Sequence, residues 1–122
     1  MNGRPTYREL NNKLKKAKEA VANGNILLIN PDALAADAID LNILVKELPK
    51  ILQEVLDETK PGNYVGQHPP ARSYEDRIKG EELFAFKIDS KRLGCDVYLK
   101  FALFSDFISL VSLHEDRREE GG

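Results

Sequence analysis

Residues 82–115 read ELFAFKIDSKRLGCDVYLKFALFSDFISLVSLHE, and the alternation within them decides the fold class. In 83–90, Phe84, Phe86 and Ile88 point one way while Ala85, Lys87 and Asp89 point the other, because successive side chains of a strand leave opposite faces. In 95–104 the apolar set is Val97, Leu99, Phe101 and Leu103, with Asp96, Tyr98, Lys100 and Ala102 opposite. A turn through Lys91, Arg92, Leu93 and Gly94 pairs Ser90 with Cys95, which sets Ile88 against Val97, Phe86 against Leu99 and Phe84 against Phe101. The apolar faces coincide, and a one-residue slip would destroy the match.

The third strand, 107–114, is apolar enough to be central, so turn geometry rather than alternation must set its register. A two-residue turn at Ser105-Asp106 would place Ser112 against Leu99 and His114 against Val97, on the core side. A three-residue loop at 105–107 instead aligns Leu113 with Leu99 and Val111 with Phe101, and sets His114 beside Tyr98 and Ser112 beside Lys100. Burying an unpaired polar group costs about 1–3 kcal/mol, so the three-residue loop is expected. The core face is then Phe84, Phe86, Ile88, Val97, Leu99, Phe101, Val111 and Leu113. The opposite face carries a polar row of Lys87, Tyr98 and His114 flanked by Lys100 and Ser112.

Upstream, Thr6-Tyr7-Arg8-Glu9 is a capping-box pattern that starts a helix. Tyr7, Leu10, Leu14, Ala17 and Val21 form its apolar stripe, and Asn23-Gly24 supplies the stop. Lys13, Lys15, Lys16 and Lys18 lie on the other side of this helix; such a run is ordinarily a solvated face, the alternative being contact with phosphates or an acidic partner. Residues 26–29 are a short apolar run suited to an edge strand. Asn30-Pro31 looks like an N-cap followed by proline at the first helical position, opening an alanine-rich helix. A second amphipathic helix is expected over 46–59, with Leu48, Ile51, Leu52, Val55 and Leu56 on one face and Pro49 in its first turn. Residues 64–74, YVGQHPPARSY, make the longest irregular stretch. They are either a surface connection or a binding loop that offers His68 and Arg72 and lies across the sheet or roofs a small-ligand pocket. Residues 74–78 are a candidate further strand.

These elements predict a single α+β domain over 1–122: N-terminal helices in about 6–59, a loop at 60–74, an antiparallel sheet of three to five strands in about 75–115, two or three helices packed on one face of it, and a frayed tail at 116–122. The chain has 122 residues, 42% hydrophobic and 31% charged, with a net charge of -2. That is an ordinary globular composition with no bulk charge demanding nucleic acid or a membrane. One cysteine, Cys95, excludes an internal disulfide. No signal-peptide core and no run of about 20 apolar residues is seen, so a cytoplasmic, non-membrane protein is expected.

The polar row is the candidate site. A lysine ammonium can stabilise phosphate charge, an imidazole can serve as acid or base, and a phenol can donate to an oxygen or stack on a base. In RNA the 2′-hydroxyl is itself the nucleophile, so neither a metal nor a cofactor is called for. Two histidines and one cysteine make a poor zinc set, and no GxSxG, HExxH, Walker or dinucleotide pattern is present. The same three side chains are also ordinary surface chemistry.

Gly94-Cys95-Asp96-Val97-Tyr98-Leu99-Lys100 and Val111-Ser112-Leu113-His114-Glu115 resemble the closing strands of the MqsR-type toxins, mRNA interferases of RelE-like fold. Val21-Ala22-Asn23-Gly24, a short strand and an alanine-rich helix echo the same family earlier in the chain. The resemblance implies a toxin that cleaves mRNA without a metal and is neutralised by an antitoxin protein. It places the family's active-site tyrosine on Tyr98 and its C-terminal catalytic lysine on His114, a departure in residue type. Lys87 is added on geometry alone. The expected site is thus Tyr98, His114 and Lys87 as catalytic groups, with Lys100, Arg72, His68 and Ser112 contacting substrate. The alternative is a non-enzymatic protein-interaction module that uses the sheet edge or the lysine face of the first helix.

Overall fold

The capping box forms as the sequence predicts: the Thr6 hydroxyl accepts from the Glu9 N–H at 3.1 Å and the Glu9 carboxylate from the Thr6 N–H at 3.2 Å. It opens α1 (Tyr7–Ala22) in the computed structural model, which describes residues 5–116. β1 (Ile26–Leu28), α2 (Pro31–Asp40), a 3-10 turn at Val45–Glu47 and α3 (Leu48–Glu58) follow. Two further 3-10 turns, Pro61–Asn63 and Asp76–Ile78, precede β2 (Phe84–Ser90), β3 (Cys95–Phe104) and β4 (Phe107–Glu115). The helix expected over 46–59 is therefore a 3-10 turn running into α3. Residues 76–78, within the candidate further strand, form a single 3-10 turn instead.

The sheet has the order β1-β4-β3-β2. It is mixed rather than antiparallel throughout: β2, β3 and β4 form an antiparallel meander, but β1 joins β4 in parallel, Ile26 beside Ile108 and Leu28 beside Leu110. The physical reason lies at the edges. Tyr64 pairs with Phe86, and the Val65 N–H donates to Ala85 O at 2.9 Å, so the loop already occupies the outer edge of β2. That leaves the outer edge of β4 for the apolar β1, whose approach from α1 runs parallel to it. No helix among the described residues is long and apolar enough to cross a membrane.

The β2–β3 register is as the alternation predicts, from Ser90 opposite Cys95 to Phe84 opposite Phe101. Gly94, at φ +74°, takes the left-handed conformation that closes the turn. Its hairpin is tied to α3 through Glu58, whose carboxylate accepts from the Ser90 hydroxyl at 2.6 Å and from the Lys91 and Arg92 N–H groups at 2.7 and 3.2 Å. Hydrogen bonds to a charged acceptor are the stronger class, about 1.5–3 kcal/mol.

The β3–β4 hairpin departs from expectation. Its turn is the two-residue one, Ser105-Asp106, with Ser105 at φ +56° and Phe104 opposite Phe107. That register runs as far as Phe101 opposite Leu110, and then Val111 is left over as a β-bulge, after which Lys100 faces Ser112, Leu99 faces Leu113 and Tyr98 faces His114. Two sequence demands are thereby met in one strand: the tight turn, and burial of Leu113 rather than Ser112 and His114. One unpaired residue is enough to switch register parity.

The core face is accordingly Phe84, Phe86, Ile88, Val97, Leu99, Phe101, Ile108, Leu110 and Leu113, packed on Leu10, Leu14, Ala17 and Val21 of α1 and the apolar face of α3. Val111 is not part of it. It packs in a second cluster with Ile29, Ile78, Leu83 and Ala102. Residues 71–83 fold back over that end of the opposite sheet face, with Arg72 bridging Glu82 and the Arg77 guanidinium reaching Leu28 O at 3.4 Å. Where this segment lies, the sheet residues are small and buried: Ala85, Ala102 and Ser109. Beyond it, towards the far end of β4, the face is polar.

Candidate functional site

The polar row is assembled by three strands. Lys87 on β2 faces Tyr98 on β3, which faces His114 on β4, while Lys100 faces Ser112 one pair further along. The Tyr98 and His114 rings are stacked, with centroids 5.2 Å apart and planes at 25°. All five residues are partly buried. Their adjacency depends on the bulge at Val111; without it the two-residue turn would have carried His114 into the core.

Local contacts constrain what the imidazole and the phenol can do. His114 Nδ1 lies 2.9 Å from Glu115 O. A carbonyl oxygen only accepts, so Nδ1 carries the proton and a neutral ring keeps its Nε2 lone pair as the basic site. Burial, reinforced by the Asp116 carboxylate, holds the Tyr98 phenol above its ordinary value of 10.0. Tyr98 is therefore a protonated donor and a stacking surface at neutral pH, and not a base. Cys95, at the start of β3, is raised above 9.0 by burial and then by Glu115 and Asp96, which disfavours a thiolate.

Sequence reasoning missed the residue that joins this row. Asp116, assigned to a frayed tail, hydrogen-bonds through its N–H to Asp96 O at 2.8 Å and forms an ion pair with Lys87 at 3.1 Å. The rest of that tail, 117–122, lies outside the described residues. The signal was available in the alternation, since 116 follows 114 on the same face. Asp37 and Asp40 of α2 were also missed; with His114, Glu115 and Asp116 they line an open cavity of about 480 Å³. Nothing in the pattern of α2 tells where its acidic side meets β4.

The loop residues sit elsewhere. Residues 64–65 follow the edge of β2 instead of lying across the polar row. His68 stacks on Tyr64 with centroids 5.9 Å apart. Arg72 donates to Gly80 O at 2.7 Å across the neck of the 72–82 segment. These contacts hold both in the loop's own framework. Lys100 makes no ion pair among the described residues, which leaves it the available cation of the row. A scan against protein-family models and a search of the curated proteins each found no match to this chain.

Proposed function

We propose that this domain binds single-stranded RNA on the Lys87–Tyr98–His114 face and cleaves it without a metal, as an MqsR-type, RelE-like toxin neutralised by an antitoxin protein would. The observation that carries the reading is the stack of Tyr98 on His114 beside two lysines. Lys100 would contact a phosphate, and Tyr98 would stack on a base or donate to a phosphate oxygen. His114 Nε2 would take the proton of a 2′-hydroxyl as its oxygen attacks the adjacent phosphorus. The 5′-oxygen then leaves with a proton from the Tyr98 phenol, which regains one from the His114 imidazolium through solvent, giving a 2′,3′-cyclic phosphate and a 5′-hydroxyl. General acid–base assistance of this kind is worth about 10²–10⁴-fold in rate.

The test uses purified protein, labelled single-stranded RNA and EDTA. Binding and slow cleavage are expected from the wild type, weaker binding from Lys100→Ala, and loss of cleavage with binding retained from His114→Ala. Neither binding nor cleavage by a folded wild type would end the proposal.

A different observation favours the interaction-module reading. Beside the edge strand β1, Ile26 and Leu28 form an apolar cleft of about 300 Å³ with Val45, Leu48, Pro49 and Leu110. Val45, which lines it, and the neighbouring Leu44 stand 43% and 58% exposed. A partner strand or helix laid there would bury apolar surface that is now wet. On this reading Leu44→Asp or Val45→Asp abolishes capture of a partner while His114→Ala does not; the opposite pattern would return the function to the polar row.

A further inference from the structure

From the position of Asp116 we infer that the described conformation is a latched one, in which a carboxylate of this chain holds the place where Lys87 would pair with an RNA phosphate. The inference rests on the RNA reading and specifies how that site is regulated.

Lys87 sits directly opposite Tyr98 on the neighbouring strand. Its ammonium is already paired with Asp116 at 3.1 Å, with both side chains about 30% exposed. A carboxylate and a phosphodiester offer an ammonium the same thing, anionic oxygens at hydrogen-bond distance, so one displaces the other at a single lysine. Asp116 is held on the site side by one backbone bond, its N–H to Asp96 O. It follows the last residue of β4, where the sheet ladder has ended, so releasing it leaves the paired residues of β4 in place. Asp89 and Asp96 face each other on neighbouring strands beside it, and Asp37, Asp40 and Glu115 border the same cavity; a phosphate that takes the place of Asp116 meets these same carboxylates, so the exchange turns on the charge of Lys87. While Asp116 stays, Lys100 is the row's only lysine without an ion pair among the described residues. Once it leaves, Lys87 and Lys100, on neighbouring strands and offset by two residues, can both contact phosphates of a single strand.

The probe is a fluorescein-labelled oligouridylate, its binding followed by anisotropy from low to moderate salt. Asp116→Asn keeps the size and backbone bond but removes the charge. It is expected to bind about five-fold tighter than wild type, the gain typical of one freed surface charge. Its log K against log salt should steepen by about 0.7, the increment for one more phosphate contact on a single strand. Asp116→Ala should repeat both changes, and Asp116→Asn combined with Lys87→Ala should lose them. If wild type and Asp116→Asn bind with equal affinity and equal slope, the latch is refuted while the RNA site stands. If neither binds at the lowest salt while both melt cooperatively, site and latch fall together.

Discussion

Phe101→Ala is expected to cost about 3–5 kcal/mol of folding stability. Phe101 is fully buried on the central pair of strands. Its ring lies 5.9 Å from that of Phe86, stacked and nearly parallel at 14°, and 6.1 Å from that of Phe84; Phe86 in turn meets Tyr64 edge-on at 5.7 Å. Removing the ring therefore opens a cavity in the layer between the sheet and helices α1 and α3 and breaks a chain of aromatic contacts that extends to the loop on the β2 edge. Aromatic pairs add about 0.5–1.5 kcal/mol beyond area, which places the cost toward the upper end of the range. A domain of this size has about 5–15 kcal/mol in total, so the variant should melt well below wild type, or fail to fold at physiological temperature. Urea denaturation gives the measurement. Phe104→Ala is the control: that ring is 54% exposed at the hairpin tip, and a cost approaching that of Phe101→Ala would show that the core is not centred where the buried aromatic rings place it.

Most of the fold was legible because its pattern is local. The capping box at Thr6 and Glu9, the stripe of α3 and the β2–β3 register each depend on residues a few positions apart, and each forms as its spacing dictates. Lys87 beside Tyr98 was legible for the same reason, whereas His114 beside Tyr98 was expected from a three-residue loop and is reached instead through the bulge at Val111. What escaped the sequence depends on competition for shared surfaces. β1 sits parallel to β4 because the loop at Tyr64 and Val65 takes the edge of β2, and no short-range pattern in ILL records that. Residues 71–83 fold over the far sheet face because Ala85, Ala102 and Ser109 are small enough to admit Ile78 and Leu83. Small residues in a strand look like weak strand formers until their cover is known. His68 and Arg72 were drawn into the site by residue type alone, and residue type does not say which way a loop turns. The β3–β4 turn posed a choice between burying polar groups and lengthening the loop. A bulge resolves it by a third route, which keeps the short turn and restores burial six residues later.

That bulge makes a pair of one-residue deletions, two positions apart, differ sharply in outcome. With Val111 removed, Leu110 still faces Phe101 and Ser112 still faces Lys100, now with no residue left over, so Leu113 remains beside Leu99 and His114 beside Tyr98. The loss is one partly buried valine from the small cluster around Ile78 and Ala102, about 1–2 kcal/mol. With Leu113 removed, no arrangement is free of cost. Keeping the bulge drives His114 into the core opposite Leu99; straightening the strand keeps His114 at Tyr98 but puts Ser112 there instead. Either way a fully buried leucine is lost, about 2–5 kcal/mol, and a polar group is buried unpaired, about 1–3 kcal/mol more. Deletion of Val111 should therefore leave a cooperatively folding protein that retains NOEs between the Tyr98 and His114 rings. Deletion of Leu113 should leave one that is unfolded or close to it. If the Val111 deletion proves the more damaging, the extra residue does not sit at 111, and the adjacency of Tyr98 and His114 must have another cause.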